Sequence, residues 1–367
     1  MKVICTGSTY KIYENDLRAF DALPVGVYNV NFNEMSGFSL SSRQPIEIKE
    51  KLYGVHNEKA DKVMHSFDRF ERNLGVILSG AKGIGKSMFA KLLCVKANQR
   101  GLPVIVVDNY IPGIARYIES IEQEVVVLFD EFDKIFANGG RVQNEGKTPQ
   151  TELLSLFDGL ASGKKMFVIT CNSLDRVSDY IVNRPGRFHY HFRFDYPTPA
   201  EICEYLADHL ERQYHDQIDA VVSFASKIAI NYDCLRSIAF ELNLGLPFKE
   251  AIKDINILNV DHELYDLELL FEDGTSLRKK GYMMDLFADD GEYIAFDDKC
   301  GNNIIDVSFD KGDIVYNTMS GISAVHGDCI KKEWVEEEDG EGKRLKDLDI
   351  SCLKIKRRLP RDVHYIA

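Results

Sequence analysis

The sequence predicts an α/β fold with additions at both ends: a parallel five-stranded sheet flanked by helices, then a short all-helical stretch and an all-β region. Three observations carry this. Between residues 74 and 194, five short apolar runs alternate with helical stretches, the pattern of parallel strands covered on both faces. Residues 199–256 hold helix signals and no strand. After residue 257 helix signals nearly vanish, and turn clusters such as Phe271-Glu272-Asp273-Gly274 and Asp289-Asp290-Gly291 punctuate strand-like runs.

Composition narrows the class. A chain of 367 residues accommodates two or three domains of about 150 residues each. The hydrophobic fraction is 45% and the charged fraction 28%, ordinary for a globular protein. No apolar run approaches the roughly 18 residues of a membrane span, so no span is expected. The first residues lack the apolar stretch of a secretory signal. The 26 glycines and 10 prolines are scattered without a period, which excludes collagen-like and low-complexity folds. The eight cysteines include no C-x-x-C pair, so neither a zinc site nor a disulfide framework is expected, and a cytoplasmic location follows as the simplest expectation. Net charge is −13, unlike the basic balance of a general nucleic-acid coat protein. The excess is concentrated: residues 257–367 hold 25 acidic and 15 basic side chains, which marks a domain boundary near 257.

In chain order, residues 1–46 form a small N-terminal β element, with strands at Val3-Ile4-Cys5 and Val27-Tyr28-Asn29-Val30. A third strand is expected at Ile46-Glu47-Ile48. A large α/β subdomain follows over 47–197. Its strands are expected at 74–79, 103–108, 124–129, 165–171 and 190–194, and its helices at 86–99, 114–122 and 151–160. Gly101 stops the first helix. At residue 198 the chain enters a helical subdomain: Thr198 can cap, Pro199 suits the first helical turn and Glu201 closes a capping box. This extends to 256, and 257–367 form the acidic all-β region, a small barrel or sandwich.

Chemistry concentrates in the α/β part. The strand 74–79 runs into Gly80-Ala81-Lys82-Gly83-Ile84-Gly85-Lys86-Ser87, followed by Met88. This is G-x-x-x-x-G-K-S, a loop whose glycines turn backbone N–H groups inward to cradle phosphates at a helix N-terminus. Lys86 then reaches the β- and γ-phosphates, and Ser87 ligates Mg²⁺. The third strand ends in Asp130-Glu131-Phe132-Asp133. A carboxylate at the end of a buried strand beside the loop-bearing strand is where Mg²⁺ is held, so Asp130 takes that role. Glu131 is placed to polarise an attacking water. An acidic pair ending a strand is otherwise a common solvated turn; its position some 45 residues after the loop favours function. Asn172, ending the next strand, can bond the water or the γ-phosphate, or simply make a turn. Arg184 and Arg187, in Arg184-Pro185-Gly186-Arg187-Phe188, are surface charges or arginines that stabilise transition-state charge from a neighbouring subunit.

Together these pieces resemble the AAA family of ATPases within the AAA+ class. Leu153-Leu154-Ser155-Leu156-Phe157-Asp158-Gly159, Thr170-Cys171-Asn172 and the Arg-Pro-Gly-Arg-Phe stretch are similar to the branch that holds proteasomal ATPases, membrane AAA proteases and the mitochondrial respiratory-complex assembly chaperone. The resemblance spans about residues 49–256. It implies an AAA+ module with a helical lid, ATP and Mg²⁺ as ligands, and a homo-oligomeric ring, usually a hexamer. It further implies that Lys86 and Ser87 bind phosphate and Mg²⁺, that Asp130 binds Mg²⁺ and that Glu131 is catalytic. Asn172 becomes the sensor, Arg184 and Arg187 the fingers in trans, and Tyr53 and Gly54 lie in the stretch that contacts adenine. Arg236 departs from the branch: it resembles the second sensor arginine of clamp loaders and initiators, or is an Arg on a solvated helix face. Tyr110-Ile111-Pro112-Gly113 is the nearest match to a pore loop; otherwise Tyr110 packs on the sheet.

The expected activity is Mg²⁺-dependent ATP hydrolysis that drives remodelling of a protein client. The alternative is a DNA-replication ATPase of loader or initiator type, favoured by Arg236 and by the basic run at 354–361 and opposed by the acidic C-terminal region.

Overall fold

The computed structural model describes residues 2–14, 18–54, 56–136, 148–158, 163–255, 257, 264–284, 291–297, 301–317, 322–335, 345–346 and 348–358. Two compact units divide at Asp195/Tyr196.

The first unit opens with the hairpin β1 (Lys2–Thr6) and β2 (Thr9–Tyr13), which pair only with each other. Next come β3 (Val27–Asn33), β4 (Gly37–Arg43), α1 (His56–Arg69), β5 (Leu74–Ser79), α2 (Lys86–Gln99), β6 (Val104–Val107), α3 (Ile114–Glu119), β7 (Val125–Phe129), α4 (Phe132–Ile135), α5 (Pro149–Asp158), β8 (Lys165–Cys171), α6 (Asp179–Val182) and β9 (Phe188–Arg193). One sheet runs in the order β4-β3-β6-β7-β8-β5-β9. From β3 to β9 all neighbours are parallel, and only β4 is antiparallel, on β3. Strands β5, β6, β7 and β8 are buried at every residue, as strands covered on both faces must be. Phe129, Phe132, Phe136, Phe157 and Phe167 interlock beside them in one aromatic core, and offset or edge-on ring pairs of this kind add to area burial.

Two expectations need correction. The sheet has seven strands, not five, because β3 and β4 belong to it and do not form a separate N-terminal element. Val27, Tyr28 and Asn29 align in parallel with Val104, Ile105 and Val106, a pairing between segments far apart in sequence that no local pattern announces. Ile46-Glu47-Ile48 is not a strand.

The second unit carries helices α7 (Pro199–His209), α8 (Ile218–Lys227), α9 (Tyr232–Asn243) and α10 (Phe248–Ala251). Thr198 caps α7 through a complete capping box with Glu201. Strands β10 (Leu264–Phe271), β11 (Ser276–Met283), β12 (Gly291–Asp297), β13 (Asn303–Asp310), β14 (Val315–Asn317), β15 (Ile322–His326), β16 (Lys331–Trp334) and β17 (Ile350–Arg357) follow. They make two antiparallel sheets, β11-β10-β17-β15-β14 and β12-β13-β16. Their inward residues alternate along β10 and close one core around Tyr265, Leu267, Leu269 and Phe271. The Tyr265 hydroxyl donates to the Lys227 carbonyl at 2.6 Å, so helices and strands of this unit are tied together. The expected boundary at 256/257 falls beside residues 256 and 258–263, which lie outside the described set.

Residues 354–357 of the basic run form the second half of β17, an inner strand between β10 and β15. Lys354 and Lys356 stand opposite Glu268 and Asp266. Glu268 accepts from Arg278 at 2.7 Å and lies 3.7 Å from Lys354. The Arg278 bond holds the Glu268 carboxyl below its ordinary range. Positions 359–361 of that run lie outside the described residues. No helix among the described residues is long and apolar enough to cross a membrane.

Candidate nucleotide site

Parallel strands end on one side of their sheet, so the C-terminal ends of β5, β7 and β8 deliver Gly80, Asp130 and Asn172 to a common edge. Here the sheet order matters. The acidic strand β7 is not beside β5, as the sequence suggested; β8 lies between them. That places the β8 residues Thr170 and Asn172 between the loop and the acidic pair.

The loop 80–87 takes the conformation its glycines permit. Gly80, Gly83 and Gly85 all have positive φ, at 139°, 71° and 98°. A side chain at Gly80 would stand 2.2 Å from the Phe194 carbonyl oxygen. Helix α2 starts at Lys86 with Gly85 before it and no side-chain cap, leaving its first N–H groups for a ligand. Lys86 is buried, and its ammonium donates to Gly80 O at 2.7 Å, to Ala81 O, and to Asn172 Oδ1 at 2.9 Å. Three donors meet three acceptors. Burial lowers the Lys86 pKa, and the nearby carboxylates of Asp133, Asp130 and Glu131 oppose that shift.

Ser87 Oγ lies 3.5 Å from Asp130 Oδ1. Two hard oxygen donors at this separation fit the coordination shell of one Mg²⁺. Thr170 Oγ1 donates to the same Asp130 oxygen at 2.6 Å and accepts the Glu131 N–H at 2.8 Å. Glu131 is exposed, ion-paired with Lys134, and sits at φ 51°, the left-handed region. Asp133 is 2% exposed and accepts the Ser173 N–H at 3.1 Å, so it holds the residue after Asn172. Lys82 is exposed and Ile84 buried, with Met88 on the first turn of α2.

Tyr53 is buried and Gly54 has φ 79°. Both lead into α1, whose first residue His56 stacks on Phe194 and meets Phe89 of α2 edge-on. The stretch thus flanks the loop helix.

The two arginines part company. Arg184 is exposed. Arg187 is buried: its guanidinium grips Asp158 in a two-pronged ion pair and donates from Nη1 to the Tyr180 carbonyl at 2.7 Å. Arg187 is thus held within its own chain, and Arg184 is the exposed arginine of the pair. Arg236 is exposed on α9, in the second unit. Tyr110 is half-buried and packs against the core beside the sheet. Its hydroxyl donates to Glu152 at 2.8 Å and its ring abuts Phe136. The sequence pattern contains Thr170, Asp133 and Asp158 but gives them no role; nothing short of the folded sheet shows their partners.

Comparison with known proteins agrees with this geometry. Residues 76–196 match the ATPase family associated with various cellular activities (AAA). An ATP-dependent zinc metalloprotease, FtsH 2 of Sorangium cellulosum, is 30% identical over 169 residues, 41% of this chain and 27% of the relative. The chloroplastic/mitochondrial FTSH 11 of Arabidopsis thaliana is 30% identical over 131 residues, 32% of this chain and 16% of the relative. An "AAA ATPase forming ring-shaped complexes" of Corynebacterium diphtheriae is 26% identical over 176 residues, 41% of this chain and 35% of the relative. The chain thus spans about a third or less of the length of these relatives. A parallel sheet with the phosphate loop after β5 and an acidic pair after β7, together with these matches, marks residues 76–196 as a domain similar to those of the AAA family of ATPases.

Proposed function

We propose that the protein is a Mg²⁺-dependent ATP hydrolase that assembles into a ring and remodels a protein client. One observation carries the hydrolytic part: along the same strand ends Lys86 bonds Asn172, while Thr170 and Ser87 both meet Asp130 Oδ1. In that arrangement the backbone N–H groups of 80–86 and the Lys86 ammonium hold the phosphates. Lys86 exchanges its carbonyl partners for phosphate oxygens. Ser87 and Asp130 hold Mg²⁺, which when bound neutralises charge developing between the β- and γ-phosphates. Glu131 orients the attacking water and accepts its proton, once released from Lys134. Asn172 bonds the γ-phosphate from the other side. Arg184, exposed on the loop before β9, supplies positive charge to the site of the next subunit.

Ring formation is supported by the relatives whose names state ring-shaped complexes. A protein client is supported by the likeness to the ATP-dependent metalloproteases, and the acidic second unit is the surface proposed to choose it. The nucleic-acid alternative loses support, because Glu268 and Asp266 face the lysines of β17. The test is to hold Glu131→Gln in ATP and Mg²⁺, determine its mass in solution, and identify co-purifying molecules against a Lys86→Ala control. A ring with a few enriched proteins supports the reading. A monomer at high protein concentration contradicts the assembly part, and enriched DNA contradicts the client part.

A further inference from the structure

We propose that Thr170 is a positioning residue that sets both members of the acidic pair, the Asp130 carboxylate and the Glu131 backbone, through its single hydroxyl. This rests on the proposed roles of Asp130 and Glu131 in hydrolysis.

The direction of the bonds is determined. A backbone N–H can only donate, so the 2.8 Å contact with Glu131 N uses Thr170 Oγ1 as acceptor. The one hydroxyl hydrogen therefore goes to Asp130 Oδ1, 2.6 Å away. That oxygen is also the one facing Ser87. The bond thus fixes the rotation of the carboxylate about the oxygen that shares the cation site. The second bond acts on geometry of another kind. Glu131 is the one non-glycine among the described residues with positive φ. Such a conformation persists only where its surroundings hold it. Glu131 has no side-chain cap to offer α4, and its own N–H is anchored by Thr170. Thr170 itself is 2% exposed, between Ile169 and Cys171 of the fully buried strand β8. A valine would fill the same volume with the same branching, so packing alone does not call for the hydroxyl.

The test compares Thr170→Val and Thr170→Ser in the full chain. Turnover of ATP is measured beside the affinity for a fluorescent ATP analogue with and without Mg²⁺, and beside thermal melting. Thr170→Val is expected to lower kcat roughly 10- to 100-fold, as misplacement of reacting groups does. Its affinity in the absence of Mg²⁺ should stay near wild type, while the gain in affinity on adding Mg²⁺ shrinks. Thr170→Ser should restore both. The proposal is overturned if Thr170→Val matches wild type in kcat and in the Mg²⁺ gain, or if Thr170→Ser is as impaired as Thr170→Val. Should the valine variant not fold, Thr170→Cys, a near-isostere with a weak donor, takes its place, and equality with Thr170→Ser then overturns the proposal. Glu131→Gln is run alongside: normal turnover there sinks the underlying reading, whereas its loss combined with a silent Thr170→Val sinks only the role of Thr170.

Discussion

Arg187, buried, and Asp158, exposed, form a two-pronged ion pair within one chain, joining the loop before β9 to the end of α5. Its consequence is a division of labour with Arg184, three residues earlier and exposed. With the role proposed for it in the next subunit's site, Arg184→Ala is expected to cut turnover of the assembled protein by roughly 1,000-fold or more, the scale of losing an arginine finger, and to leave melting unchanged. Arg187→Ala is expected to lower stability by on the order of 2 kcal/mol, the scale of a lost charge-assisted hydrogen bond pair that is partly open to solvent. Equal melting temperatures for the two variants would overturn this division.

The same pair sets an acid response. Hydrogen bonding from Arg187 holds the Asp158 carboxyl below its ordinary 3.8. Its contribution is therefore full above pH 3.8 and is lost as pH falls through the lower native value. Acid unfolding of Asp158→Asn, followed by circular dichroism, should show a flatter slope in that range than wild type.

Tyr110 gives the opposite sign. Burial, with the Glu152 bond, pushes its phenol up to about 12 from 10.0. The neutral form is favoured in the native state, so the contribution is intact below pH 10.0 and disappears as pH rises toward about 12. Tyr110→Phe should cost about 1 kcal/mol at neutral pH and leave ATP turnover intact. Loss of client processing without loss of stability would instead restore Tyr110 as a pore residue.

Gly80 has no room for a side chain. At φ 139°, a Cβ there would stand 2.2 Å from the Phe194 carbonyl. Gly80→Ala should destabilise by about 1–3 kcal/mol and abolish ATP binding, because relief of the clash moves the loop. Calorimetric titration with ATP and a thermal melt check both effects.

How much of this was legible in advance depended on distance along the chain. Helix α2 was expected at 86–99 and is found there, because Gly85 and Gly101 bound it locally. The phosphate loop was legible for the same reason: its chemistry lies in eight consecutive residues. Strands β3 and β4 were not legible as sheet members, since β3 pairs with β6, more than 70 residues later. The cap expected at Thr198 formed because its partner is three residues away. The fate of Arg187 was hidden because Asp158 is 29 residues distant, and a motif shows which residue is present without showing what holds it. Thr170 was visible within Thr170-Cys171-Asn172, yet its two partners lie just past the end of the neighbouring strand β7.

Hydrolysis of ATP at the loop of residues 80–87, with Glu131 as the group that activates water, is the central claim. Phosphate release from ATP and Mg²⁺ by wild type and by Glu131→Gln, with ATP affinity measured on the same samples, tests it most directly. Wild type is expected to turn over ATP, and Glu131→Gln to lose roughly 100-fold or more of that turnover with unchanged ATP affinity. Equal phosphate release by the two proteins would contradict it.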